Sequence, residues 1–292
     1  MLQKARDKIR NLPLLNVVRR TWTETSMLEF GLLFVALPAL LAAIETLPQT
    51  VQDSLTLHIE SPTLWGAYLS NFVHGGTSHL VANIANYVLL MAVLLSLAIY
   101  ANWERELYLT TIFFLTVLPL IVSAYSVWTL QGSGVVRTYG FSGIDAAFLG
   151  LLPVATFAFL RREVSSNIRL HHSLVLVAVE MALILFGWGG LSISVIGLSV
   201  LAILGTGLLY WDTRGEWGTL IDTPEYQTLL FIAIAFFLIL PFQNLVNVET
   251  GTNVYGHLIG FVVGFLFLSV LSLVIDLRRQ ATEIQEEFAF TL

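Results

Sequence analysis

The chain has 292 residues, of which 56% are hydrophobic and only 12% are charged. Because an average soluble domain carries about 25% charged residues, this composition excludes an ordinary soluble protein and favours one that faces lipid. The net charge of −6 gives no sign of a nucleic-acid-binding surface, and the absence of cysteine excludes disulfides, thiolate metal sites and a cysteine nucleophile.

Apolar runs of about 20 residues, the length of a membrane-crossing helix, recur from Met27 onward. We therefore expect an all-α membrane protein, a polytopic helical bundle with about eight transmembrane helices. The predicted spans are 28–47, 79–100, 107–127, 140–160, 173–187, 190–211, 227–246 and 256–275. The predicted domains are a basic cytoplasmic N-terminal tail (1–27), a transmembrane domain (28–275) and a cytoplasmic C-terminal tail (276–292).

Basic residues predict the orientation of this bundle. Alternating the loops of eight spans puts 13 of the 14 Lys and Arg residues on one side and leaves Arg137 on the other. Since cytoplasmic loops carry the excess of basic residues, both termini are predicted to be cytoplasmic in a multi-pass protein of the cell membrane. The external segment 48–78 contains aromatic residues and is predicted to lie partly in the membrane surface. The excess of Arg over Lys is typical of a prokaryotic genome rich in G and C.

The second predicted span begins with polar residues, His74, His79 and Asn83. Polar groups in a membrane are costly, about 2.5–3.5 kcal/mol for a central charge, so they are functional candidates. His79 and Asn83 are four residues apart and share a helix face. Hydrogen bonding between neighbouring helices is the alternative role for such residues, and this group alone does not exclude it.

The fourth predicted span begins with Gly140-Phe-Ser142-Gly143, after a glycine-rich loop. A serine at this position can meet water, and the flanking glycines allow the sharp turn or close backbone approach that a nucleophile with amide donors requires. A Gly-x-Ser-Gly sequence by itself is also typical of packed membrane helices. The motif therefore needs support from the rest of the chain.

The last predicted span begins with His257, followed by Gly260 and Gly264. These small residues form a stripe below His257, and Gly143, Ala147 and Gly150 form a similar stripe below Ser142. Two such stripes allow helix backbones to pack closely. If the stripes face each other, Ser142 and His257 meet at one depth, as a nucleophile and its base must.

The charge-based topology places four polar residues near the external face, Ser142, His257, His79 and Asn83. A serine, a histidine base and two hydrogen-bond donors are the minimum set for acyl transfer. We expect Ser142 to attack a peptide carbonyl, His257 to take its proton, and His79 and Asn83 to stabilise the oxyanion.

These three motifs, in this order and topology, resemble the rhomboid family of intramembrane serine proteases. The resemblance covers residues 28–160 and 227–275. It implies a rhomboid-like six-helix core with a Ser142–His257 dyad, and an oxyanion hole formed with His79 and Asn83. His74 would then hold the external loop. The substrates it implies are transmembrane proteins, cleaved in or near their membrane segments, and it implies no cofactor and no metal.

The chain departs from the family pattern at several positions. Trp65 is followed by Gly66, where family members often have an arginine that anchors the first external loop. Ala146 stands where many members have a tyrosine that stacks on the catalytic histidine. Asp145 is an intramembrane carboxylate that either orients His257 or borders a water-filled cavity.

Three spans are predicted between the serine and histidine spans, where the family has one. The pair at roughly 173–211 is therefore an extra helical hairpin, and it contains Glu180 and the sequence 187–190, to which the pattern gives no role.

Two other functions are compatible with a polar cavity in a helical bundle. A catalytically inactive rhomboid-like protein would bind membrane clients without cleaving them, but such proteins usually lose the serine or the histidine. A transporter would show repeats or paired broken helices, and none is evident. No His-Glu-x-x-His sequence is present to indicate a metalloprotease.

Overall fold

A computed structural model describes residues 12–246 and 252–270, and most of them are helical. In chain order the helices are α1 (Pro13–Glu24), α2 (Met27–Glu45), α3 (Gln49–Ser54), α4 (Leu64–Leu69), α5 (Thr77–Ala101), α6 (Glu104–Thr116), α7 (Leu118–Leu130), α8 (Ser142–Glu163), α9 (Leu170–Gly189), α10 (Ile193–Thr213), α11 (Gly218–Asp222), α12 (Pro224–Pro241) and α13 (Val254–Val270). Two short strands are β1 (Leu57–His58) and β2 (Arg137–Thr138).

Among the described residues, six helices are long and apolar enough to cross a membrane, α2, α5, α8, α9, α10 and α12. The predicted all-α, multi-pass membrane protein is thereby confirmed. Its lipid-facing surface is the exposed apolar side of these helices, most extensive on α10. Helix α13 is apolar but shorter over its described residues, and residues 271–275 of the last predicted span lie outside the described ranges. The count of eight spans therefore stays a prediction.

The third predicted span, 107–127, is two helices and not one. Helices α6 and α7 meet at an angle of 46° near Pro119. Proline has no backbone N–H and its ring clashes with the preceding turn, so it fits the first turn of a new helix better than the interior of a continuous one. The apolar run was visible in the sequence, but the bend depends on this one residue.

Helix α8 is the centre of the bundle, because its apolar stretch is entirely buried. It packs along α5 on one side and against α12 on another. On α5 and α8 the contact is made largely by aromatic rings: Tyr87 lies edge-on to Phe141 and Phe148, with ring centroids 5.9 and 5.5 Å apart. Burial on all sides is why this helix lacks an amphipathic pattern.

The two small-residue stripes face each other. The carbonyl oxygen of Gly143 lies 2.0 Å from where a Cβ on Gly260 would be, and the Ala147 carbonyl has the same relation to Gly264. On the other helix, the Phe261 carbonyl lies 2.0 Å from the Cβ position of Gly150. No side chain larger than hydrogen fits at these points, so glycine permits the close approach of α8 and α13.

The loops at one end of the bundle form a cap over it. Strand β1 pairs with β2 in antiparallel register, Leu57 opposite Thr138 and His58 opposite Arg137. Arg137 also forms an ion pair with Asp53 of α3 at 2.8 Å. Segment 48–78 is thus joined to an arginine from a different loop. We call this end of the bundle the capped end.

Part of the predicted N-terminal tail is a helix. Helix α1 lies across the end of the bundle opposite the cap, where Val17 is buried and Arg20 stacks over the Tyr100 ring at 4.0 Å. Thr21 shares a hydrogen bond with Ser96 at 2.9 Å, so α1 is attached to α5. Helix α1 is amphipathic, and such a helix has no long apolar run by which the sequence would reveal it. Residues 1–11 and 276–292 lie outside the described ranges.

Helices α9 and α10 pack against each other as the predicted extra hairpin, with α12 following before α13. The sequence 187–190 has a structural role, because the Trp188 indole N–H donates to the Leu245 carbonyl at 2.7 Å and Gly187 lies against Val246. Leu245 belongs to a π-helical turn, Phe242–Val246, that follows α12. The hairpin therefore braces α12 at the capped end.

We predict that Gly264→Ala destabilises the fold by about 1–3 kcal/mol, the usual cost of overpacking, because the added methyl would collide with the Ala147 carbonyl. The matched control is Gly207→Ala on α10, where nothing lies within 4 Å of the new methyl and helix propensity improves. Thermal unfolding in detergent micelles measures both. Equal melting temperatures would contradict the close packing of α8 and α13.

Candidate active site

Ser142 is the first residue of α8, at the capped end. The turn before it needs glycine, because Gly140 has φ of +125°, a backbone conformation that L-residues rarely adopt. The Gly140 N–H donates to the Ser70 carbonyl at 2.9 Å, which fixes the turn to the cap. The serine hydroxyl therefore lies at a helix N-terminus, where the first backbone N–H groups have no partner within the helix.

His257 lies in the first turn of α13, and its Nε2 is 2.6 Å from Ser142 Oγ. Two features bring the atoms together. The glycine contacts set the separation of α8 and α13, and Asn253 fixes the start of α13. The Asn253 side chain accepts a hydrogen bond from the Gly256 N–H at 3.0 Å and donates one to Ser126 of α7 at 2.7 Å. The dyad is thus held by packing below and by a polar cap above.

His79 lies on the other side of Ser142. If Gly140 carried a Cβ, that atom would be 2.9 Å from His79 Cε1, 3.3 Å from His79 Nε2 and 3.7 Å from Ser142 Oγ. A side chain at this position would collide with His79, so glycine is needed beside the imidazole and the hydroxyl. The His79 and His74 rings meet edge-on with their centroids 5.2 Å apart.

These three residues line one cleft of about 470 Å³ at the capped end. Its walls come from the first turns of α5, α8 and α13, from the 3-10 turn Ser70–Phe72, from α7 and from the loop around β2. The lining is mostly polar and includes Ser126, Thr138 and Asn253. The cleft can therefore hold water and an extended polar backbone beside the serine.

Asn83 lies deeper than the other three predicted site residues. It is buried, it is not among the residues that line the cleft, and its Nδ2 has no hydrogen-bond partner in the described part of the chain. The structure therefore brings Ser142, His257 and His79 together around one space and places Asn83 behind them, one turn further along the same face of α5.

His74 is buried beneath the cap, with 3% of its surface exposed. Burial, and secondly the neighbouring His79, lower the pKa of His74 to about 4. An imidazole in this state is neutral and serves as a packing element. This is the environment of a residue that supports the loop.

Ala146 lies against Gly260, whose Cβ position is 3.5 Å from the Ala146 methyl. A large ring at residue 146 would collide with α13 at this separation. The start of α13 is positioned by Asn253. Sequence reasoning missed Asn253, although an asparagine directly before an apolar helix is a recognised N-cap signal.

The described residues contain no group of three or more His, Cys, Asp or Glu side chains placed to hold a metal ion. What the arrangement offers is a hydroxyl within hydrogen-bond distance of an imidazole, together with donors on the other side of the hydroxyl. Such a site can perform nucleophilic acyl transfer.

Neither a scan against protein-family models nor searches of curated proteins and of solved structures found a match to this chain. Function is therefore inferred from the geometry of the site and from the motifs that form it.

We predict that the protein loses stability as pH falls from about 6.5 to about 4, by up to about 3 kcal/mol from His74 alone. The unfolded chain binds a proton at His74 in this range and the folded chain does not, so acid favours unfolding. Denaturant unfolding of wild type and His74→Asn at several pH values measures the effect. His58→Asn, which alters an exposed histidine of β1, is the matched control and should keep the wild-type pH dependence.

Proposed function

We propose that this chain is an intramembrane serine endopeptidase of the rhomboid type, with Ser142 as nucleophile and His257 as its base. The observation that carries the proposal is the 2.6 Å contact between Ser142 Oγ and His257 Nε2 in a water-accessible cleft. The three motifs that resemble the rhomboid family support it, since their residues meet in one place although they come from distant parts of the chain. We propose on the same grounds that the chain belongs to the rhomboid family and contains its six-helix core.

In the first step, His257 Nε2 takes the hydroxyl proton as Ser142 Oγ bonds to the carbonyl carbon of the substrate. The carbonyl electron pair moves to oxygen and then returns as the C–N bond breaks. The leaving amine takes the proton from His257. A water molecule next attacks the acyl-serine and gives its proton to His257, and the proton returns to Ser142 as the acid product leaves.

The negative charge on the carbonyl oxygen needs nearby donors. We propose that the donors are His79, which lies beside Gly140 and Ser142, and the N–H groups at the start of α8. Asn83, behind the cleft on the same face of α5 as His79, is the further donor in this proposal. A helix N-terminus also favours negative charge through its aligned peptide dipoles. Loss of one donor of this kind typically lowers kcat about 10²–10³-fold.

The substrates we propose are single-span membrane proteins with a helix-breaking segment near the capped end. A helical substrate has its carbonyls hydrogen-bonded within the helix, so the backbone must unwind before one of them can reach Ser142. The polar cleft can satisfy the unwound backbone, which lipid cannot. We further propose that the protein lies in the cell membrane of a prokaryote with both termini in the cytoplasm, so that the capped end is external.

We predict that the detergent-purified protein reacts covalently with a serine-directed fluorophosphonate, because Ser142 Oγ displaces fluoride from phosphorus as His257 takes the proton. Ser142→Ala and His257→Ala should each abolish the label. Ser133→Ala, in the loop before β2, is a matched control that keeps it. Labelling of Ser142→Ala would show that another residue is the nucleophile.

Incubation with a generic transmembrane substrate separates a protease from an inactive client-binding relative. Wild type should cleave the substrate, and Ser142→Ala should bind it without cleavage. If wild type takes the fluorophosphonate label but cleaves none of a panel of transmembrane segments, the result would favour an inactive client-binding protein.

We predict that a single cysteine in place of Ser133 reacts with a membrane-impermeant maleimide in intact cells, whereas one in place of Ser166 reacts only after the cells are opened. Both positions are exposed, and the native chain has no cysteine to interfere. They lie at opposite ends of α8 and its flanking loops. The reverse labelling pattern would mean that the charge-based orientation is wrong.

A further inference from the structure

Three polar groups below the dyad are fully buried and have no hydrogen-bond partner within residues 12–246 and 252–270. They are Asn83 Nδ2, the Tyr87 hydroxyl and both carboxyl oxygens of Asp145. An unpartnered polar group in an apolar interior costs roughly 2–7 kcal/mol, so buried polar groups nearly always have partners. Three such residues on one helix interface require an explanation.

Helix spacing and the contacts of the Tyr87 ring bring these groups to one interface. Asn83 and Tyr87 are one turn apart on the same face of α5. The Tyr87 ring lies between Phe141 and Phe148, which flank Asp145 on one face of α8. The Tyr87 hydroxyl is also within electrostatic range of the Asp145 carboxyl. The face of α5 that carries Asn83 and Tyr87 therefore meets Asp145 at the α5–α8 contact, one turn below Ser142.

We infer that this interface binds an internal water molecule, which accepts a hydrogen bond from the Asn83 amide, donates one to the Asp145 carboxyl and has the Tyr87 hydroxyl as its third partner. Buried waters typically make about three hydrogen bonds to groups that would otherwise be unsatisfied. The choice between water and a cation follows from the donors and acceptors present. The Asn83 amide offers N–H donors, which repel a cation, whereas water can accept from the amide and donate to the carboxyl.

The water gives Asp145 a role in the proposed reaction. In the proposed reaction Asn83 is an oxyanion donor, and its Nδ2 has no hydrogen-bond partner among the described residues to orient it. A water tied to Asp145 and Tyr87 holds that amide in place. Asp145 is then a positioning residue that acts through water and Asn83. The positioning role of Asp145 depends on the proposed function, whereas the water site itself does not.

X-ray radiolytic labelling tests the site without reference to activity, because hydroxyl radicals formed from a bound water modify the side chains beside it. Tyr87 is 0% exposed, so modification of Tyr87 in the folded protein requires an internal water. The control is Phe114, which is also 0% exposed and packs among aromatic rings. We expect Tyr87 to be modified well above Phe114. Equal modification of the two in wild type would overturn the water site, and this comparison needs no variant.

Variants at Asp145 test the same site by a second route. Asp145→Asn keeps an acceptor for the water and should leave Tyr87 labelling near the wild-type level. Asp145→Leu removes the partner, and Tyr87 labelling should fall to that of Phe114. Undiminished labelling in a folded Asp145→Leu protein would place the water elsewhere and contradict the assignment of Asp145.

Cleavage kinetics test the positioning role. Asp145→Leu should lower kcat by up to about 10²-fold with little change in KM, because the lost effect is on an oxyanion donor, and Asp145→Asn should restore most of the rate. An unchanged kcat in Asp145→Leu would overturn the positioning role. If wild type cleaves nothing and takes no fluorophosphonate label, the proposed function fails, while the radiolytic comparison still decides whether the water is present.

Discussion

The close approach of two helix backbones is the constraint on which the site depends. At Gly150 of α8, and at Gly260 and Gly264 of α13, a carbonyl oxygen of the other helix occupies the space where a side chain would otherwise be. In lipid the hydrophobic effect does not drive helices together, so close packing and polar contacts must do so. This approach sets the distance between Ser142, which directly precedes Gly143, and His257, which lies one turn before Gly260.

Polar groups at the capped end also hold Ser142 and His257 in position. Asn253 fixes the first turn of α13, and the pairing of β1 with β2 joins the two loops beside the serine. The Arg137–Asp53 ion pair holds the same loops from outside. Each of these contacts lies where water can reach it, which is the less costly place for polar groups in a membrane protein. The cleft therefore has closely packed helices beneath it and a polar rim that water can reach.

Two further features of the bundle concern the helices around the site. Helices α9 and α10 form a hairpin that reaches the turn after α12 through Trp188, so the hairpin supports α12. Asp145 lies in the most buried helix of the protein, next to Tyr87 and close to Asn83. Glu180 of α9 is a second buried carboxylate without a partner among the described residues, and neither the sequence nor its surroundings give it a role. Both carboxylates stand in helices that otherwise carry few polar groups.

The sequence by itself determined the architecture and the candidate site, because lipid imposes helices of known length and makes every polar residue within them conspicuous. Ser142, His257 and His79, with the two glycine stripes, were identifiable from spacing together with the charge-based topology. The bend at Pro119, the N-cap at Asn253, the loop anchor at Arg137 and the burial of Asp145 beside Tyr87 were not. These features depend on which elements meet across the bundle, and local spacing does not specify which of several compatible neighbours a residue contacts. Only the tertiary structure decided that α8 and α13 face each other closely enough for a hydroxyl and an imidazole to share a proton.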